Sequence, residues 1–190
     1  MNTPIQVGWV GRFVPIKNPS AFLDFARHFQ PLVGLPCRFT MIGRGGLEDQ
    51  VKKEAAAIGL ADSIQFCGWQ RDMSEVYRDL ELVVLTSKNE GTPVALIEAM
   101  ASGIPACSLD VGGTSDMVSD GRNGVLAGDI LSLARRAADL VNSAPIYEAL
   151  GKQASRDSAE TYTFDRLESD LRHLYSELMA KKTSGRKLAC

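Results

Sequence analysis

No Asp-x-Asp, no Cys-x-x-Cys and no complete Gly-x-Gly-x-x-Gly occurs anywhere in this 190-residue chain. The first absence removes the usual carboxylate pair for a metal-bridged diphosphate. The second leaves the cysteines at 37, 67, 107 and 190 standing alone, and the first three sit in or beside apolar runs. They read as buried free thiols, which fits a reducing cytosol. The third excludes an ordinary dinucleotide fingerprint, since Gly43-x-Gly45 fails at Glu48, and no Walker lysine–serine pair follows. Charge of either sign is also not in excess: a formal net charge of -2 gives no reason to invoke nucleic acid or an anionic membrane. No apolar run approaches the roughly 20 residues that span a bilayer. The start, Met1-Asn2-Thr3-Pro4, lacks the basic and apolar regions of a secretion signal. The expectation is a soluble, cytoplasmic domain. Of the two histidines, His28 and His173 both fall on helical stretches away from the loops that carry chemistry, so neither suits a catalytic base.

What is present is a hydrophobic share of 45%, enough for one domain with a proper core. Short β-rich runs at 6–11, 38–43, 63–67, 82–86, 104–108 and 124–127 alternate with helical patterns at 19–30, 47–59, 73–80, 94–102 and 115–119. Runs such as Val83-Val84-Leu85 are apolar on both faces, as in a parallel sheet covered on each side. The alternation predicts an α/β fold: a doubly wound, mainly parallel six-stranded sheet of Rossmann-like type. After the last strand the pattern is purely helical, at 129–142, 145–162 and 164–181. The last of these places Phe164, Leu167, Leu171, Leu174, Tyr175 and Leu178 on one face. One domain is expected over 1–181, with the basic segment 182–190 as a frayed, disordered tail.

Ligands of open α/β sheets bind beyond the carboxyl ends of the strands, and the informative residues gather there. After the first strand, Gly11-Arg12 and Lys17 can clamp a diphosphate, arginine as a planar fork and lysine as a point charge. After the second, Gly43-Arg44-Gly45-Gly46 lets the backbone turn tightly or pass close to a ligand. The richest stretch runs from Ser87 to Pro105. There Thr92 is expected as a helix N-cap with Pro93 at the first helical position, leaving free backbone N–H groups as a phosphate site. Glu90 precedes that helix, and Glu98 lies within its first two turns, where a carboxylate can accept hydrogen bonds from ribose hydroxyls. Positive field in the middle and acceptors at both ends suit a nucleoside diphosphate sugar.

Glu90 and Glu98 also form a Glu-x7-Glu pair inside a segment that resembles the signature of retaining glycosyltransferases with two Rossmann domains, the GT-B type, group 1. Gly11-Arg12 with Lys17 resembles the opening of that family's C-terminal, donor-binding domain. Gly43-Arg44-Gly45, Phe66-Cys67-Gly68, Val111-Gly112-Gly113 and Asp120-Gly121 with Gly124 fall in the family's order, with Asp116 where glutamate is commoner. The resemblance implies transfer of a sugar from a nucleoside diphosphate donor to an acceptor hydroxyl, with retention and without metal or cofactor. It further implies that Arg12 and Lys17 neutralise the diphosphate. Glu90 and the backbone of Gly91, Thr92, Pro93 and Val94 would hold sugar and phosphates, and Glu98 the ribose. Residues near Phe66, Gly68, Trp69 and Met73 would flank the base. The acceptor pocket belongs to the family's N-terminal domain, for which the 190 residues leave no room, so donor binding with little turnover is expected. Any peripheral membrane association would run through that missing domain, onto which the last helix is expected to cross. A nucleotide-sugar 2-epimerase domain, a non-catalytic nucleotide-sugar-binding module and a dehydrogenase domain are the rival readings.

Overall fold

The computed structural model describes residues 3–186. Six strands, β1 (Ile5–Val10), β2 (Cys37–Ile42), β3 (Ile64–Gly68), β4 (Leu82–Leu85), β5 (Ala106–Leu109) and β6 (Gly124–Ala127), form one sheet in the order β3-β2-β1-β4-β5-β6. Every neighbouring pair is parallel, so the expected mainly parallel sheet is wholly so. The order reverses between β1 and β4, and that switch opens a crevice at the carboxyl ends of the strands.

Helices α1 (Pro19–Phe29), α2 (Glu48–Ala57) and α5 (Ile130–Val141) cover one face. α1 buries Phe22, Phe25 and Phe29 at helical spacing, and Phe39 of β2 meets Phe22 and Phe29 edge-on at 6.1 and 6.3 Å. These large rings, with Leu133, Ala134 and Ala137 of α5, make this layer the main core. On the other face α3 (Met73–Arg78), α4 (Val94–Ala101) and α6 (Ala144–Thr161) build a second core around Tyr77, Leu96, Met100 and Ala154. β4, with all four residues buried, is shared by both layers, as its unbroken apolar run requires. Cys37, Cys67 and Cys107 are free thiols; burial raises the pKa of all three, that of Cys107 to about 12. Cys190 lies outside the described residues.

One local expectation needs correction, and the last helix is longer than expected. The segment expected as a helix at 115–119 is instead a 3-10 turn over Gly112–Asp116, closed by the Thr114 hydroxyl, which accepts from Val111 N at 2.9 Å. The last helix, α7 (Phe164–Arg186), runs past the expected end at 181. Lysines 181 and 182 are good helix formers whose charge favours the end of a helix dipole. The helix continues to 186 into the segment expected as a tail, of which residues 187–190 lie outside the described region. Along α7 the predicted apolar face is open to solvent, from Phe164 (80% exposed) through Leu167, Leu171 and Leu174 to Leu178. None of the described helices is long and apolar enough to cross a membrane.

Candidate functional site

At the switch between β1 and β4 a cleft of about 440 Å³ opens, lined by Gly11, Arg12, Gly43, Arg44, Trp69, Gln70, Met73 and Glu98 above Val10 and Ile42. Two loops form its floor by lying directly on one another. Gly11 N donates to Ile42 O and Phe13 N to Arg44 O, both at 3.0 Å, while Leu47 N returns to Phe13 O at 3.0 Å. That contact demands glycine. A Cβ on Gly43, whose φ is +131°, would sit 1.9 Å from Gly11 O, and one on Gly45 would sit 2.5 Å from Phe13 O. The glycines thus serve the approach of loop to loop, and only through it the ligand. Arg12 and Arg44 are exposed at the rim and make no ion pair among the described residues. Two cations with no protein partner in one cleft form a field suited to an anion. Trp69, 68% exposed, stands on the wall beside Met73.

Glu98 faces the cleft from the second turn of α4, and its Oε2 accepts from Tyr77 OH at 2.8 Å. Glu90 is held differently. Its Oε1 takes both the Lys17 ammonium at 2.5 Å and the Ser87 hydroxyl at 2.6 Å, with only 7% of the side chain exposed. Its backbone is braced as well, since Gly113 N donates to Glu90 O at 2.8 Å. A Cβ on Gly112 would meet that same oxygen at 2.1 Å, so the Val111-Gly112-Gly113 loop supports the Glu90 segment by close contact.

A buried relay ties the loop carrying Lys17 to the strand end carrying Glu90. Trp9 Nε1–H donates to Thr86 Oγ1 at 3.1 Å, and Thr86 Oγ1 donates to Asn18 O at 3.1 Å. Lys88 N adds a bond to Ile16 O at 2.9 Å. Thr86→Val keeps the shape and deletes both side-chain bonds, leaving the indole N–H of Trp9, 1% exposed, without an acceptor. The expected cost is about 1–3 kcal/mol, read as a lower melting temperature. An unchanged melt would show that water replaces Thr86.

The start of α4 departs from expectation. Pro93, not Thr92, is the N-cap, with extended φ and ψ of -75° and 102°, and no side chain caps the helix. Because Pro93 itself is extended, the first helical residue is Val94. Leu96 N and Ile97 N turn back to Pro93 O, whereas Val94 N and Ala95 N have no acceptor among the described residues. An open N-terminus is thus present, one residue later than expected.

The structure brings Gly11, Arg12, Gly43, Met73 and Glu98 together in the cleft. Lys17 and Glu90 are not among the residues lining it and pair with each other. Gly45 and Gly68 shape the loops behind, Gly68 O accepting from Gly43 N at 2.7 Å. Gly91 lies under Gly113, Pro93 is buried, and Val94 is exposed. Thr92 borders a separate groove with Phe164 and Leu167. Phe66 is not on the cleft wall: it packs against Phe13 with ring centroids 6.3 Å apart, in the core beneath the loops. Alternation along β3 turns its side chain to the covered face, and the neighbouring Trp69 and Gln70 take the wall. Arg44, Gln70, Ser87 and Tyr77 belong to the site without having been singled out for it. The glycine-flanked position of Arg44 was a usable signal; a tyrosine on a short amphipathic helix gives none.

Six parallel strands in this order with a cleft at their carboxyl ends define a Rossmann-like domain, and the solved structures it matches are GT-B glycosyltransferases. The chain belongs to the glycosyl transferases group 1 family, whose profile matches residues 2–157. It is 34% identical over 142 residues to the Vi polysaccharide biosynthesis protein VipC/TviE of Salmonella typhi, covering 72% of this chain and 24% of that protein. It is 30% identical over 172 residues to the 2-deoxystreptamine N-acetyl-D-glucosaminyltransferase of Streptomyces fradiae, covering 88% and 41%. It therefore spans less than half the length of either. Staphylococcus aureus TarM, crystallised with fondaparinux, alpha-GlcNAc-glycerol and UDP, superposes with a TM-score of 0.83 at 26% identity, over 92% of this chain and 36% of its own. Anabaena HepE, in complex with UDP-glucose, shares the fold with a TM-score of 0.84 at 20% identity, over 92% and 49%.

Proposed function

We propose that the chain is the donor-binding domain of a retaining glycosyltransferase, which takes a sugar from a nucleoside diphosphate sugar to an acceptor hydroxyl. The observation that carries the reading is the cleft itself, where the unpaired Arg12 and Arg44 and the anchored carboxylate of Glu98 share one wall-to-wall space with exposed Trp69. Diphosphate lies against Arg12 and the open start of α4, ribose against Glu98, and the base against Trp69 and Met73. The UDP and UDP-glucose complexes of TarM and HepE support that chemistry for the fold. Glu90, with one oxygen taken by Lys17 and Ser87, keeps Oε2 for a sugar hydroxyl.

In the transfer step the bond from the anomeric carbon to the diphosphate breaks, and negative charge grows on the departing phosphate oxygens. Arg12, on the cleft rim, and Lys17, held by Glu90, are the cations assigned to that charge, which they stabilise most when it is largest. The acceptor and the remaining half of the cleft belong to a second domain in a longer protein, in keeping with relatives more than twice as long. α7 presents its apolar face to that domain, and the free thiols fit a cytoplasmic location.

The test is incubation of the full-length protein with anomerically defined, labelled UDP-sugars and analysis of products by NMR. Transfer with the donor configuration kept supports the reading; inversion contradicts retention, and a 2-epimer without transfer makes the protein an epimerase. Binding is expected to need no divalent metal, because arginines, Lys17 and a helix N-terminus supply the positive field. Chelator should leave nucleotide affinity unchanged, whereas loss on chelation and recovery with magnesium or manganese would overturn that part of the account.

A further inference from the structure

We infer that Tyr77 is a positioning residue for Glu98: its buried phenol holds one carboxylate oxygen so that the side chain faces the cleft instead of solvent. The inference rests on the reading of the cleft as a nucleoside diphosphate site. Tyr77 sits on α3, 2% exposed, with its ring among Leu80, Val83, Leu96 and Met100 in the second core. Only its hydroxyl leaves that apolar setting, donating to Glu98 Oε2 at 2.8 Å across 21 positions of sequence.

No other side-chain hydrogen bond or ion pair fixes the Glu98 carboxylate among the described residues. A glutamate at a cleft rim has rotamer freedom to lose before it can present both oxygens to a diol. Tyr77 removes that freedom in advance, so ligand binding does not have to. One hydrogen bond to Oε2 leaves the other lone pairs of an ionised carboxylate open to hydroxyl donors. Burial and the facing charge of Glu98 raise the phenol pKa, so the hydroxyl remains a donor at neutral pH. A tyrosine there for bulk alone would fill the core equally well as phenylalanine.

The measurement is calorimetric titration of the chain with UDP, GDP and ADP and with the 2′-deoxy and 3′-deoxy form of each. Wild type should bind at least one ribonucleotide more tightly than its deoxy forms. Tyr77→Phe keeps the ring and should lose roughly three- to tenfold in ribonucleotide affinity with little change for the deoxy forms, so that discrimination shrinks. In a Glu98→Gln background the same substitution should add almost nothing, the coupling expected of two groups acting as a unit. Folded Tyr77→Phe with wild-type discrimination would overturn the positioning role and leave the cleft reading intact. Equal binding of ribo and deoxy forms by wild type would overturn the ribose role together with it. Binding of none of the three by folded protein would overturn the cleft reading beneath both.

Discussion

Arg12→Ala should cut turnover in the proposed sugar transfer by the full-length protein roughly 100- to 1000-fold, the usual effect of removing one stabiliser of developing negative charge. Donor affinity should fall much less, and nucleoside affinity hardly at all. The split follows from where the charge appears. Arg12 lines the cleft and makes no ion pair within the described protein, so its field is directed at whatever enters. A bound diphosphate already carries charge, but the leaving group carries more, and an interaction that strengthens on the way to the transition state shows in kcat before KM. The fold should be untouched, because the side chain is exposed. Steady-state kinetics with the natural donor, beside calorimetry with nucleoside and nucleoside diphosphate, separates these quantities. Unchanged turnover would remove Arg12 from the leaving-group role; equal losses in nucleoside and diphosphate affinity would point to a collapsed loop instead.

Gly43→Ala should be the most damaging single methyl group in the molecule. The added carbon would lie 1.9 Å from Gly11 O, against backbone that is itself hydrogen-bonded to Ile42, and the φ of +131° is hostile to any side chain. Neither loop can yield without breaking the bonds that join them. The expected cost is on the order of 3 kcal/mol, or a melting temperature lower by roughly 6–12 °C. Nucleotide binding should fall with it, since the displaced loop carries Arg12. Gly46→Ala, three residues further along the same loop but in open space, is the matched control and should shift stability by no more than about 0.5 kcal/mol. Similar melts for the two variants would mean that the loop contact is softer than its geometry.

The sheet was legible because its strands are short apolar runs between turn signals, most plainly Leu82–Leu85, which is buried on both faces. The Glu90 and Glu98 segment was legible for a related reason: its residues lie close in sequence, so spacing alone puts them at one helix start. What escaped was either orientation or distance. The motif containing Phe66 marks the right strand end but does not tell which side chain turns to the core, and the wall fell to Trp69 and Gln70. The helix start slipped by one residue because Pro93, a good first helical residue by type, takes an extended ψ of 102° and becomes the cap itself. Tyr77 with Glu98, and Trp9 with Thr86 across 77 positions, are pairings that only the folded chain makes. The glycines of 43–46 were read as a tight turn or a close approach to a ligand, and the folded chain uses two of them, Gly43 and Gly45, as room for its own backbone.

The central claim is that the cleft between Arg12 and Glu98 binds a nucleoside diphosphate. Calorimetric titration of the chain and of its Glu98→Ala variant with UDP, GDP and ADP tests it most directly. Saturable binding of one of them is predicted, weak because the proposed function assigns half of the closing cleft to a second domain. The variant should remain folded and lose roughly ten- to a hundredfold in affinity, since hydrogen bonds to a charged acceptor contribute about 1.5–3 kcal/mol. Absence of heat with all three nucleotides at millimolar concentration, from folded protein, would contradict the claim, as would a Glu98→Ala variant that binds as tightly as wild type.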